Sequence, residues 1–437
     1  MKMRKLILPL LCLLVALPQY AQIRGNSIVV TVEPDHQDWH YRVGETAKFT
    51  VEVRQSGTLV NNVSVEYAAG PEMYQDVKKT VTLKDGTLKL QGKMTTPGFY
   101  RVDVKASVGG KEYRGACAAA FSPEQLKPST VMPADFKSYW ENAVKEARYT
   151  DLDPTKRLLP ERCTKDVNVY EVSFNSNRWG SRIYGILCEP VKEGKYPALL
   201  RVPGAGVRPY AGDVWTAAQG IITLEVGIHG VPVTMEQKVY DNLAAGALNC
   251  YWNYGMDNRD MSYYKRVVTG CIRALDYIEQ YTAWNGKEMG VTGSSQGGFL
   301  TLAVAGLDKR ITCYAPVHAA MCDHTNSLKN KACGWPHYFY YNEAVKKMKN
   351  PDENPQVVTS RYYDGVNFAR LITDQQKGWF SFGYCDDVVP PTTTWSTYNI
   401  VTGPKEISPY QATWHFWFQE LWDEWVNWLL KQLGVRK

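Results

Sequence analysis

The sequence predicts an α/β protein: a mainly parallel sheet with helices on both faces, preceded by a small β-sandwich. Three observations carry that reading. Strand-like runs without a helical period fill the chain from Ser27 to about Phe121. Beyond Val167, nearly wholly apolar runs of strand length alternate with helical segments, as in a sheet covered on both faces. Between the two lies "SPEQLKPSTVMP", whose three prolines mark a linker. At 437 residues the chain is long enough for two or three domains, and its 44% apolar and 22% charged residues are globular values.

The first 21 residues lie outside that fold. "MKMRKLILPLLCLLVALPQYAQ" has early cations, an apolar run from Leu6 to Leu17 and a small residue at Ala21. This is the pattern of a secretory signal peptide over residues 1–21, too short and wrongly flanked for a membrane span. Cys12 follows the bulky Leu11 within the apolar run and is not read as a lipid-attachment site. Cleavage removes Lys2, Arg4 and Lys5 and lowers the net charge from +6 to +3. So balanced a chain predicts no nucleic-acid and no anionic-membrane partner. No second stretch of about 20 apolar residues follows, so no membrane span is expected and the location is periplasmic or secreted. Ten cysteines, nine after cleavage, contain no Cys-x-x-Cys, and an odd number leaves at least one thiol unpaired.

Residues 22–121 form the expected β-sandwich, near the size of immunoglobulin-like domains. Its runs are "KFTVEVRQ", "VSVEYAA", "KTVTLKDGTLKLQGKM" and "GFYRVDVKASV", separated by Gly, Asn and Asp-Gly turns. The unit suits a carbohydrate- or partner-binding module or a spacer. No exposed aromatic cluster stands out, which favours the spacer. Residues 122–132 form the linker, whose composition predicts a separable catalytic unit over 133–437. That unit opens on "ADFKSYWENAVKEAR", an amphipathic helix with Phe136, Tyr139, Trp140 and Val144 on one side. The strands "RIYGILCEP", "PALLRV", "IITLEV", "EMGVTG", "ITCYAP" and "KGWFSFGY" follow, with helices over 264–281, 297–307 and 417–431. In the last helix Phe418, Trp422, Trp425 and Leu429 have core-facing spacing.

Chemistry enters at "EMGVTGSSQGGFL". Gly-x-Ser-x-Gly fits one register, Gly293 to Gly297, which makes Ser295 and not Ser294 the nucleophile. A strand runs in and a helix runs out, the context that a nucleophile elbow requires. The N–H of Gln296, at the start of that helix, becomes an oxyanion donor. In chains built on such an elbow the acid and then the histidine follow the serine. "KGWFSFGY" is followed by Asp386 and Asp387, and of the seven histidines only His415 lies beyond them. His415 is therefore the base. Strand-to-loop geometry favours Asp386 as the acid without excluding Asp387.

"GYCDDVVPPTTTWSTYNIVTGPKEI" resembles the acid-bearing segment of acetyl xylan esterases and cephalosporin C deacetylases, carbohydrate esterase family 7. The family's Gly-x-x-Asp-x-x-x-Pro-Pro implies Asp386 as the acid. "GSSQGG", "SRYYDGVNFA", "YYKRVVTGCIRAL" and "PADFKSYWENAVKEA" also look like family segments, over roughly residues 131 to 435. The resemblance implies an α/β-hydrolase fold, no cofactor, and acetylated carbohydrate, xylan or oligosaccharide, as substrate. It implies a second oxyanion donor at Ala205 in "RVPGAGVRPY" and is compatible with a homo-oligomer.

The chain departs from the family at Ile228-His229-Gly230, where the family has Arg-Gly-Gln, and at Phe416, where it has Glu. These bear on loop packing and the pocket, for which His229, Trp252 (in "NCYWNYG") and His318 are candidates. "HAAMCDH", with His318, Cys322, Asp323 and His324, matches no familiar zinc spacing, and a serine triad needs no metal. Other readings on the same fold are a peptidase, a lactone hydrolase, or a vestigial carbohydrate-binding protein.

Overall fold

The computed structural model describes residues 27–177 and 180–436, and the predicted signal peptide lies outside them. Period-two alternation builds the first unit. Its strands are β1 (Ile28–Pro34), β2 (His40–Tyr41), β3 (Thr46–Gln55), β4 (Thr58–Leu59), β5 (Val63–Pro71), β6 (Val77–Leu83), β7 (Thr87–Lys93), β8 (Gly98–Val108) and β9 (Lys111–Phe121). In one sheet β3 pairs with β1, β4 and β7; the other has the order β2-β9-β8-β5-β6. Ala47, Phe49, Val51 and Val53 on β3 face Val102, Val104 and Ala106 on β8 across one apolar core. The Asp85-Gly86 turn does not close a hairpin. It carries the chain from β6 in one sheet to β7 in the other.

β9 is absent from the quoted runs because "ACAAAF" is alanine-rich and weak in strand propensity. Burial on both faces holds it. Cys117, Ala119 and Phe121 point into the sandwich, whereas Ala118 and Ala120 pack against Phe382, Tyr384 and Trp395 of the second unit.

That second unit is a nine-stranded sheet made of β10 (Thr155–Leu158), β11 (Val167–Asn175), β12 (Arg182–Pro190), β13 (Tyr196–Arg201), β14 (Ile222–Gly227), β15 (Trp284–Ser294), β16 (Cys313–Val317), β17 (Lys377–Gly383) and β18 (Lys405–Tyr410). Its order is β10-β11-β12-β14-β13-β15-β16-β17-β18, antiparallel as far as β14 and parallel from there on. Both faces are covered, as the apolar strands require. On β13, Leu200 packs with the helices Phe136–Ala147, Tyr263–Glu279 and Gln296–Leu307, and its neighbour Leu199 with the helix Gln419–Gln432. Trp425 and Leu429 are buried on that last helix, together with Leu421 and Trp428.

The stretch read as a linker is pinned down. Ser129 and Thr130 donate their N–H groups to the buried Asp323 carboxylate at 2.8–3.1 Å. Asp323 belongs to "HAAMCDH", so that acid ties its own loop to the linker backbone through its side chain. The sandwich itself rests on the loop after β17. Arg101 donates to the Cys385 carbonyl at 3.1 Å, His40 Nε2 and the Tyr384 hydroxyl are 2.6 Å apart, and the Cys385 thiol lies 3.5 Å from the Ala116 carbonyl. All three contacts fall just before Asp386. The sandwich buttresses the loop that carries the candidate acid.

Candidate active site

The elbow forms where β15 meets the helix Gln296–Leu307. Ser295 sits between them at φ 60°, ψ −122°, a conformation that L-residues hold only under tertiary constraint. Its N–H donates to Val317 O at 2.9 Å, and its carbonyl accepts from Ala320 at 3.0 Å. Crowding explains the flanking glycines. A Cβ at Gly293 or Gly297 would lie 2.4 or 2.5 Å from the Val202 carbonyl oxygen. The elbow is pressed so closely against the end of β13 that neither position admits a side chain.

The Gln296 side chain shows why this residue is not a passive filler. Its Oε1 accepts from the hydroxyls of Tyr251 and Tyr264 at 2.6 and 2.7 Å, and its Nε2 donates to Pro203 O at 3.3 Å. The carboxamide thus ties the elbow to the loop that carries Ala205. Tyr251 also accepts from Gly206 N–H at 3.3 Å, bracing the same loop. No sequence motif singles out Tyr251 or Tyr264. "NCYWNYG" contains Tyr251, but nothing local says that its hydroxyl reaches a residue 45 positions away.

Behind the loop stands His229. Its Nε2 lies 3.0 Å from Gly206 O, so that nitrogen carries the proton, and Nδ1 accepts from the Tyr263 hydroxyl at 2.7 Å. Burial pushes its pKa down to about 4, keeping it neutral. It braces the loop from beneath and does not line the cleft. Trp252 stands one ring back from the cleft, against Trp335 at 5.1 Å.

Asp386 and His415 meet 29 residues apart in sequence. His415 Nδ1 donates to Asp386 Oδ2 at 2.7 Å, and Asp386 Oδ1 accepts from the N–H groups of Val388 and Val389 at 2.9 and 2.8 Å. The carboxylate is fully buried and all its contacts fix its orientation, whereas Asp387 is exposed. With the proton on Nδ1, Nε2 is left as the acceptor. His415, Ser295, Gly204 and Ala205 line one cleft of about 630 Å³. Trp335, Phe416 and Trp417 also line it, and the last two rings are exposed.

His318 belongs to this cleft as well. Its ring lies 5.2 Å from that of His415, with Nδ1 3.8 Å from Asp386 Oδ2, and burial lowers its pKa to about 4. His318, Asp386 and His415 offer ligand atoms within 4.8 Å of one another. Two of those three side chains already satisfy each other by the 2.7 Å hydrogen bond.

The arrangement supplies a strained, accessible hydroxyl, an oriented imidazole and a turn of backbone N–H groups, which is equipment for acyl transfer. Comparison with known proteins agrees. The family model described as acetyl xylan esterase matches residues 123–432. The acetyl esterase Axe7A of Xylanibacter ruminicola is 38% identical over 426 residues, covering 94% of each chain. The acetyl xylan esterase from Paenibacillus sp. R4 superimposes with TM-score 0.60 at 25% identity, over 71% of this chain and 98% of its own. Acetyl xylan esterase 1 from Thermoanaerobacterium sp. JW/SL YS485 gives the same TM-score and coverage at 22% identity, a likeness of fold. The chain belongs to the acetyl xylan esterase family and is a carboxylic ester hydrolase.

Proposed function

We propose that this chain is an exported acetyl esterase acting on acetylated xylan or smaller acetylated saccharides through Ser295, His415 and Asp386. The observation that carries the mechanism is the strained elbow serine sharing a cleft with an imidazole hydrogen-bonded to a fully buried carboxylate. Ser295 Oγ attacks the acetyl carbonyl while His415 Nε2 takes its proton. The N–H groups of Gln296 and Ala205 hold the oxyanion, and the imidazolium, stabilised by Asp386, protonates the departing sugar oxygen, which leaves as a hydroxyl. Water, deprotonated by His415, then releases acetate and restores the serine. The exposed faces of Phe416 and Trp417 at the cleft suit a sugar ring, whose C–H face stacks on aromatics.

Two measurements test the reading. Acetate release from acetylated xylan is compared with release from other acetylated glycans, and the xylan is expected to be preferred. On nitrophenyl acetate, butyrate and octanoate, efficiency should fall along the series. A pocket sized for one methyl rejects longer chains by about 1–3 kcal/mol of overpacking, which is roughly ten- to a hundredfold in rate. A flat or rising series would remove the deacetylase reading and leave the serine mechanism standing.

A further inference from the structure

A second cleft, of about 560 Å³, opens where the sandwich meets the loop that carries Asp386. One wall is the outer face of β5, β6, β8 and β9, with Glu66, Lys78, Arg101 and Lys105, together with Gln75 of the β5–β6 loop; the other is Asp387, Pro390 and Trp414. It touches the active site from behind, because Trp414 and Asp387 stand next in sequence to His415 and Asp386, which face the catalytic cleft and its base.

Two features mark this cleft as built for a ligand. Glu72, only 4% exposed, lines it, and its Oε1 has no hydrogen-bond partner among the described residues; its Oε2 accepts from Thr392 N–H at 3.3 Å. A buried polar atom left unpaired costs about 1–3 kcal/mol, so a partner is expected from outside the protein. Arg101, 5% exposed, is held by Asp103 at 2.9 Å with its guanidinium 5.6 Å from the centre of the Trp414 ring. It fixes that aromatic face at the cleft wall.

The lining tells what the ligand is. Five cationic side chains (Lys78, Lys79, Arg101, Lys105, Arg114) stand against four carboxylates (Glu66, Asp103, Asp386, Asp387) and the Glu72 carboxyl, which burial keeps protonated. That mixture lies within one charge of balance and offers an ion little net attraction. Donors and acceptors closely interleaved around the Trp414 ring fit a polyol, whose hydroxyls donate and accept and whose C–H face stacks. We propose that this cleft is a second saccharide site, binding an unacetylated neutral stretch of the glycan chain whose acetyl groups are removed at Ser295. The choice of glycan rests on the acetyl-glycan reading above; the site itself rests on the cleft.

The test uses the full chain and xylohexaose, with binding measured by calorimetry. Wild type is expected to bind it. The double substitution Gln75→Ala, Trp414→Ala should weaken that binding at least tenfold, and by more than Phe416→Ala, Trp417→Ala in the catalytic cleft does. Should the first pair fail to fold by circular dichroism, Lys78→Glu, Lys79→Glu on the exposed β6 rim is read instead, with at least fivefold weakening expected. Unaltered binding in the folded cleft variants, loss only with the Phe416 and Trp417 pair, or no binding to wild type overturns the proposal. Stronger binding of an acidic than of a neutral oligosaccharide overturns its ligand class. Hydrolysis of nitrophenyl acetate by the same preparations reports on the esterase reading separately, since it needs no saccharide site.

Discussion

The elbow around Ser295 and the junction around Arg101 hold the same site from two sides, yet they are written differently into the chain. At the elbow five consecutive residues carry strand end, strain, nucleophile and the start of a helix. At the junction a guanidinium on β8 meets a carbonyl 284 residues later, and no local pattern announces it. The teaching is that a catalytic motif is legible where the chemistry demands crowding. A supporting contact is legible only once the fold has brought its halves together.

The largest break in this comparison is removal of the sandwich. A chain beginning near Ser129 retains every residue of the proposed triad, and its proline-rich start suggests independence. The structure points the other way. Truncation uncovers Phe382, Tyr384 and Trp395, and leaves the Cys385 carbonyl without Arg101. We expect the truncated chain to aggregate, or to lose nearly all hydrolysis of nitrophenyl acetate. A soluble truncation with wild-type turnover would show that the junction is only contact.

On the catalytic side, Ser295→Ala should cost about 10⁶-fold in turnover, the size seen when a serine nucleophile is removed from a triad. Ser294→Ala, one residue outside the register, should stay within about tenfold, because the glycines crowd the turn around 295. Equal losses in two folded variants would sink the assignment. Next in size, Asp386→Asn should lower turnover by about 10⁴-fold by favouring the wrong imidazole tautomer. Asp387→Asn should matter little, since its side chain is exposed and His415 donates to its neighbour. A larger effect at 387 would place the acid one residue later.

Much of this was readable in advance, and the reasons differ by element. The buried strands from β12 to β17 announce themselves as apolar runs because both faces are covered. β10 and β18, at the two sheet edges, are largely polar and incompletely buried, and no apolar run announces either. Ser295 and His415 follow from spacing and chain order. Asp386 needed the family's proline pair, since two adjacent carboxylates look alike until one is buried. The departure of its neighbours from the family points to His229 as a pocket residue; its role under the Gly206 carbonyl depends on the path of a loop 23 residues away.

The smallest expected effect sharpens the junction itself. Glu72 is buried between the two units, and burial raises its pKa from 4.5 to about 8, against the opposing pull of the Thr392 hydrogen bond and of Arg101. The sign follows from linkage. A carboxyl whose pKa is raised by folding holds its proton longer in the folded state, so its favourable contribution is complete below about pH 4.5. That contribution is lost as pH rises toward 8, where the unfolded chain ionises freely and the folded one resists. Replacing Glu72 by Gln preserves the shape and removes the titration. Glu72→Gln and wild type should therefore be nearly equal in stability near pH 4.5, and the variant should gain by roughly 1–3 kcal/mol by pH 8. Urea unfolding at intervals from pH 4.5 to 8.5 measures the difference directly. Curves that stay parallel across that range would mean that Glu72 is ionised in the fold, its free oxygen already paired with water, and that the junction carries no stored cost at neutral pH.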